Sequence, residues 1–171
     1  HDALPISYHS GRLVSSAFCA HGVWVSGVVV YGTPTGPTHP NGKAITNELL
    51  TLALDRAEQT PGPRYIAGDF NHDWDRLEVI ATMHRLGYRD IQDLHAERTG
   101  QLPQATCRGR TRRDFMFVSR ELAALFQACV VDDDTVADHS YLVGHFSSSG
   151  EQLCRFSWNL PDPMEWEPPL S

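Results

Sequence analysis

Gly68-Asp69-Phe70-Asn71 ends a short apolar stretch that begins at Arg64 and is typical of a β-strand. On an extended segment, Asp69 and Asn71 point the same way because they are two residues apart. A carboxylate beside an amide oxygen suits a hard divalent cation or a water molecule held near one. A simple turn is an equal alternative, because Gly, Asp and Asn all favour turns. These four residues therefore indicate either a metal-binding strand end or a turn.

Two more polar motifs stand at the ends of apolar stretches. Asp114 heads the stretch Phe115 to Ser119, and an Asp in that place is costly to bury without a partner. It either faces water or meets a cation or a histidine. Asp138-His139 precedes another apolar stretch, where such a pair can hold a metal-bound water and donate to a phosphate oxygen. A lone Asp-His pair is more often an ordinary polar loop.

Strands and helices alternate irregularly along the chain. Residue periodicity predicts strands at 12–18, 23–31, 64–70, 113–119, 128–132 and 141–146, and helices at 44–59, 76–86 and 121–126. The segment 90–108 is expected to be irregular or partly helical. This order predicts an α/β (α+β) sandwich rather than a regular parallel winding. We expect one domain at 8–148, a non-native leader at 1–7, and a tail or linker containing Pro and Trp at 149–171.

The bulk composition excludes several classes of protein. The 171 residues are 41% hydrophobic, which is enough for a globular core and too many for a disordered chain. A net charge of −7 excludes a polycation that coats nucleic acid, so any such contact needs a local basic patch. No apolar run approaches membrane-spanning length, and no secretory signal is visible. We expect an intracellular protein, nuclear or cytoplasmic, that is not secreted and has no membrane partner.

The three motifs, taken in this order, resemble the endonuclease/exonuclease/phosphatase superfamily over residues 12–146. Within it, the chain is most similar to the endonuclease domain of non-LTR (LINE-type) retrotransposons. The signs are Tyr31-Gly32, His39-Pro40, Thr106-Cys107-Arg108, and Trp158 and Trp166 among prolines. The resemblance implies a four-layer sandwich of two β-sheets flanked by helices. It also implies a DNA substrate, with RNA as an alternative, and a reverse-transcriptase domain downstream in the parent polyprotein.

The resemblance also implies a role for each motif residue. Asp69 would orient or deprotonate the attacking water, and Asn71 would position that water or the phosphate. His139 would donate to the scissile phosphate, while Asp114 would fix its tautomer and keep it cationic. Asp138 would lie near the metal or help activate the nucleophile, and Tyr31 would hydrogen-bond a phosphate oxygen. The implied reaction is phosphodiester hydrolysis with Mg²⁺ or Mn²⁺ stabilising charge on the phosphate.

An arginine-rich run leads directly into Asp114. It contains Arg108, Arg110, Arg112 and Arg113, and the forked guanidinium group suits phosphate contacts. A solvated loop is the equal alternative. We expect these side chains to line the rim of the site and contact nucleic acid.

The sequence departs from the superfamily's pattern in one respect. The resemblance places a metal-binding Glu and a catalytic Asn in the first part of the domain, before the strands that open this chain, so the N-terminal part is expected to be missing. We therefore expect weak Mg²⁺ or Mn²⁺ binding and little or no nuclease activity from these residues alone. We also expect marginal stability, because unpaired sheet edges would be left. The alternatives are a phosphatase on a small phosphoester and a catalytically dead remnant or binding module.

Overall fold

The computed structural model describes residues 7–9, 11–20, 22–132, 138–148 and 152–156. Within these ranges the chain forms two β-sheets and four α-helices. No helix in the described part of the chain is long and apolar enough to cross a membrane.

The larger sheet has six strands. They are β1 (Ser7–His9), β2 (Leu13–Ala20), β3 (Val23–Val30), β4 (Arg64–Asp69), β5 (Arg89–Asp90) and β6 (Asp114–Val118), in the order β1-β2-β3-β4-β6-β5. Only β3 and β4 are parallel among these neighbours, and a helical crossover joins them, as parallel strands require. The consequence for the site is that the C-terminal end of β3 lies beside the C-terminal end of β4, where the Gly68-Asp69 pair ends the strand.

The smaller sheet consists of β7 (Phe126–Asp132), β8 (Tyr141–Ser148) and β9 (Gln152–Phe156), all antiparallel. The start of β8 directly follows the Asp138-His139 motif. Within the predicted tail at 149–171, residues 152–156 form strand β9. Residues 157–171 lie outside the described residues, as do 1–6 of the predicted leader.

The helices are α1 (Gly42–Glu58), α2 (Glu78–Arg85), α3 (Ile91–Thr99) and α4 (Arg120–Ala123). Helix α1 is the crossover between β3 and β4 and packs on both of them and on α2. Helix α3 contacts β6 of the large sheet and β7 of the small one, so it joins the two sheets. Sequence periodicity leaves α3 undefined, because its apolar residues do not repeat at helical spacing. The buried Asp90 begins it instead, accepting hydrogen bonds from two backbone amides of its first turn.

Two apolar clusters fill the space between the layers. One lies between the large sheet and helices α1 and α2, and the other lies between the two sheets. Strand β6 serves both clusters, with Phe115 and Phe117 on the helix side and Met116 and Val118 on the other. Burial of both faces explains why this strand is a continuous apolar run. The predicted α/β sandwich of two sheets with helices is confirmed.

Candidate active site

The ends of β3, β4 and β6 meet at one edge of the large sheet. Asp69 and Asp114 are register partners on β4 and β6, so their side chains leave the sheet on the same side. The Gly32 amide donates to the Asp69 carbonyl at 2.7 Å, and the Phe70 amide donates to the Arg113 carbonyl at 2.8 Å. Backbone hydrogen bonds thus fix the motif against both neighbouring chain segments.

Glycine is required twice for this close approach. Gly68 has φ of 140°, and a Cβ there would stand 2.0 Å from the carbonyl oxygen of Val30. A Cβ on Gly32 would stand 2.3 Å from the carbonyl oxygen of Phe70. A Cβ atom cannot lie this close to a carbonyl oxygen. Because glycine has no Cβ, both positions allow the backbone contact that brings the end of β3 to the end of β4.

Asn71 holds the turn that follows β4. Its φ of 58° lies in the left-handed region, which Asn tolerates better than most residues. Its backbone amide donates to Asp69 Oδ1 at 2.8 Å, and its side-chain amide donates to the Gly32 carbonyl at 2.9 Å. The strand ends at Asp69, so strand alternation does not place the two side chains together as predicted. Asn71 orients the Asp69 carboxylate through its backbone instead.

His139 lies between the two carboxylates. Its Nδ1 is 2.8 Å from Asp114 Oδ2, and its Nε2 is 4.0 Å from Asp69 Oδ2. Because a carboxylate only accepts, Nδ1 carries the hydrogen and donates it to Asp114. The second distance is too long for a hydrogen bond. Nε2 therefore faces Asp69 across a gap that a water or a phosphate oxygen can enter, and in the cationic ring it is a donor.

Burial sets the electrostatics of Asp69. The side chain is 14% exposed, and this desolvation raises the pKa of Asp69 above its ordinary value. The Asp114 carboxylate raises this pKa further, while the Asn71 amide, His139 and Arg113 lower it. A carboxylate with a raised pKa is a stronger base than an exposed one, and it gains from a neighbouring cation. Both properties suit a group that accepts a proton from water.

A buried threonine connects the site's segments. Thr106 Oγ1 accepts hydrogen bonds from the amides of Arg113 and Asp114, each at 3.0 Å. The Thr106 carbonyl accepts from the Ser140 amide at 2.8 Å, and Cys107 forms a β-bridge with His139. One residue thus holds both the Asp114 strand and the His139 segment. The sequence singles out Thr106 only as a sign of the retrotransposon type and does not identify this positioning role.

Replacing Thr106 with Val should reduce the unfolding free energy by about 2–4 kcal/mol, because two buried amide donors lose their acceptor. Urea denaturation measures this loss. Thr106→Ser keeps the hydroxyl and should recover most of it. A loss in Thr106→Ser with little or none in Thr106→Val would mean that the methyl group matters rather than the hydroxyl, and would contradict this role.

Three residues of the predicted site lie together, and the others occupy different places. Asp69, Asp114 and His139 form the cluster. Tyr31 directly follows β3, beside Gly32, and is half-exposed. The Arg12 guanidinium lies over its ring, 5.1 Å from the ring centroid. Asp138 points to solvent and pairs with Arg108 at 2.7 Å, which lowers the pKa of Asp138. Its predicted metal contact is not formed by this side-chain position.

The arginine run divides in two. Arg112 is directed inward, where it pairs with the buried Asp90 and lies 4.9 Å from the Phe115 ring. The structure corrects the expectation that Arg112 contacts nucleic acid, because its guanidinium is mostly buried and occupied. Burial raises the pKa of Asp90 to about 6 despite this pairing. Arg108, Arg110 and Arg113 remain at the surface or half-buried near the cluster, so their phosphate contacts stay predictions.

The cluster suits a hard divalent cation. One ligand atom from each of Asp69, Asp114 and His139 can lie within 4.8 Å of the others. Carboxylate oxygens are the protein ligands that Mg²⁺ and Mn²⁺ prefer, and Mg²⁺ needs only one or two of them beside water and substrate phosphate. Desolvation disfavours the ionised form of Asp69, and the positive charge of a bound cation would offset this cost. The residues therefore fit such an ion, with Asp69 among its candidate ligands.

Comparison with solved structures identifies the class of fold. Several of the solved structures that match are nucleases or phosphatases of the endonuclease/exonuclease/phosphatase superfamily, and the chain has the fold of these structures. The sequence prediction of this superfamily is confirmed at the level of the fold. No protein-family profile and no curated protein sequence matches the chain.

Three of these structures illustrate the likeness. An AP endonuclease from Archaeoglobus fulgidus has a TM-score of 0.62 and 16% identity, with 86% of this chain and 72% of that one covered. The endonuclease domain of TRAS1, a telomere-specific non-LTR retrotransposon, has a TM-score of 0.61 and 18% identity over 85% of this chain and 66% of that one. The 3′-5′ exonuclease NExo from Neisseria meningitidis has a TM-score of 0.61 and 17% identity over 80% and 65%. The chain thus spans slightly less than two thirds of the last two structures.

Proposed function

We propose that this chain carries the water-activating and proton-donating groups of a divalent-metal-dependent phosphodiesterase that cleaves DNA. The observation that supports this most strongly is the His139 ring, held by Asp114 on one side and open toward Asp69 on the other. A lone acidic turn would not place a histidine between two carboxylates that come from different strands. The fold shared with nucleases agrees with the proposal.

Each residue of the cluster has a defined task in this proposal. Asp69 would hold the cation, and its carboxylate is placed to accept a proton from the attacking water. Asp114 orients the His139 ring through Nδ1, so that Nε2–H of the protonated ring can donate to a phosphate oxygen. Asn71 keeps the Asp69 carboxylate in place through its backbone amide. The cation, when bound, stabilises negative charge on the phosphate and the leaving oxygen.

The retrotransposon origin is part of the proposal. Its support is the likeness to the TRAS1 domain together with the Tyr31-Gly32 and Thr106-Cys107-Arg108 motifs. A downstream reverse transcriptase and an intracellular location would follow from it. The alternative of a small-phosphoester phosphatase has less support, since the solved neighbour described as a 3′ phosphatase is bound to a product DNA hairpin.

The test is single-turnover cleavage of an end-labelled DNA duplex by excess protein in Mn²⁺, which detects very slow reactions. We expect slow cleavage that a chelator stops. Replacing His139 with Asn, which keeps a donor toward Asp114 but loses Nε2, should reduce the rate by about 10²- to 10⁴-fold.

His145→Asn is the matched control, because His145 lies on β8 outside the cluster. It should cleave at the unmodified rate. Absence of both cleavage and Mn²⁺ binding would contradict the proposed function. Cleavage that is equal in the His139 and His145 variants would contradict the role of His139.

A further inference from the structure

A second pocket opens directly beside the Asp69 cluster. It has a volume of about 230 Å³, and its lining residues are Pro34, Thr35, Asn71, His72, Asp73, Arg76 and Arg113. Asn71 belongs to both places, because its backbone amide binds Asp69 and the residue also lines this pocket. The pocket therefore adjoins the cluster, and a ligand bound at the cluster can extend into it.

The pocket is basic, and its two arginines pair with a carboxylate that a bound anion could replace. Arg113 and Arg76 both pair with Asp73, at 3.1 and 3.4 Å. These two guanidinium groups and one carboxylate leave one net positive charge. The side chains of Arg76 and Asp73 are 72% and 40% exposed, and ion pairs as open as this contribute only about 0–1 kcal/mol each. A stronger anion can therefore take the arginines from Asp73 at little cost.

The pocket's size indicates which anion fits. Sites for small organic molecules usually measure about 300–1,000 Å³, so this one is too small to enclose a base and a sugar. A phosphate group with its water molecules is a better match. Forked guanidinium groups bind phosphate oxygens in pairs, and the ion pairs with Asp73 hold the two arginines close together at the pocket.

From this geometry we infer that the pocket binds the phosphate adjacent to the scissile one in a DNA strand. The inference rests on the proposed function and extends it to substrate choice. A substrate with several linked phosphates fills both the cluster and the pocket, whereas a small phosphoester fills the cluster alone. Arg76 and Arg113 thus give the site a preference for polynucleotide phosphodiesters, and Asp73 is their counter-ion in the free protein.

Two substitutions with opposite expected effects test this inference. Binding of a fluorescent DNA duplex is followed by anisotropy in the presence of a chelator, so that the cation cluster takes no part. Arg76→Ala should weaken binding by about three- to tenfold and reduce the salt dependence by about one ion. Asp73→Asn should strengthen binding by a similar factor, because it frees both arginines without changing the shape of the side chain.

Arg85→Ala is the matched control, since Arg85 is an exposed arginine on α2 outside the pocket. It should bind DNA like the unmodified chain. Circular dichroism melts check that all three variants fold. Weaker binding by Asp73→Asn, or equal binding by Arg76→Ala and Arg85→Ala, would overturn the inference.

A second readout separates this inference from the proposed function. Arg76→Ala should slow single-turnover cleavage of DNA by a clearly larger factor than cleavage of bis(p-nitrophenyl) phosphate, which has one phosphate. If both substrates slow equally, the pocket does not select for linked phosphates, and the inference fails while the proposed function stands. If DNA binding shifts as expected but no Asp69-dependent cation binding or cleavage is found, the proposed function fails and the phosphate pocket stands.

Discussion

Replacing Asp69 with Asn should abolish measurable Mn²⁺ binding and reduce single-turnover cleavage by about 10²- to 10⁴-fold, while the fold becomes more stable. The functional loss follows because the amide neither binds a hard cation well nor accepts a proton. The amide oxygen can still accept from the Asn71 backbone, so the turn is kept. The gain in unfolding free energy should be about 0.5–2 kcal/mol, because the half-buried carboxylate no longer has to be ionised.

The pH dependence of this gain has a definite sign. The pKa of Asp69 is raised in the folded chain, so the folded state binds a proton more tightly than the unfolded state does. Ionised Asp69 therefore destabilises the fold above its folded pKa, and this cost disappears as the pH falls through that pKa. The advantage of Asp69→Asn should be full at neutral pH and vanish in acid. Cation binding should weaken in the same window, which lies at higher pH than for an exposed Asp.

Denaturant unfolding at several pH values and Mn²⁺ titration by water-proton relaxation give both measurements. Asp75→Asn is the control, because Asp75 is an exposed carboxylate six residues further along and outside the cluster. It should leave cation binding and cleavage unchanged. Asp69→Asn that binds Mn²⁺ as well as the unmodified chain would contradict Asp69 as a ligand of the cation.

Replacing Gly68 with Ala should reduce the unfolding free energy by about 4 kcal/mol. Two costs combine here, because φ of 140° is unfavourable for a side chain and the new Cβ would overlap the Val30 carbonyl oxygen. The backbone of β3 and β4 must separate to relieve the overlap, and the site formed by their ends is distorted with it. A domain of this size has about 5–15 kcal/mol in total, so much of its stability would be lost.

Gly100→Ala separates the two costs. Gly100 also has a positive φ, 75°, but a Cβ there would meet nothing within 4 Å. Its loss should be only about 1 kcal/mol. The midpoints of urea unfolding, at unchanged slope, give the comparison. Equal losses at Gly68 and Gly100 would show that the backbone conformation alone matters and would contradict the overlap with Val30.

The sequence predicts the local elements well where a single segment determines them. Strands β3, β4 and β6, the first two helices and the order of the motifs are all visible in it, because apolar patterning and turn residues are local signals. The sequence of α1 alone does not determine which of its apolar residues are buried. Leu50 and Leu54 are buried while Ile45 is partly exposed, because the packing of the crossover on the sheet sets the rotation of the helix.

The site shows the same division between local and distant determinants. The motifs indicate Asp69, Asp114 and His139, because their chemistry is visible in single residues. The roles of Thr106 and Arg112 depend on contacts with distant segments. Thr106 binds two amides that follow a tight turn, and Arg112 meets Asp90 in a segment with no clear periodicity. No local sequence pattern indicates a contact with a residue in a distant segment.

The bridge between Cys107 and His139 also sets an order of events in time. Asp69 and Asp114 come together within the large sheet, but the histidine arrives from a segment that follows β7. Synthesis proceeds from the N-terminus, and contacts between distant residues form late because closing a long loop costs entropy. A growing chain still short of residue 139 holds both carboxylates without their proton donor. Under the proposed function, the growing chain therefore gains its proton donor only after the large sheet and β7 have been made.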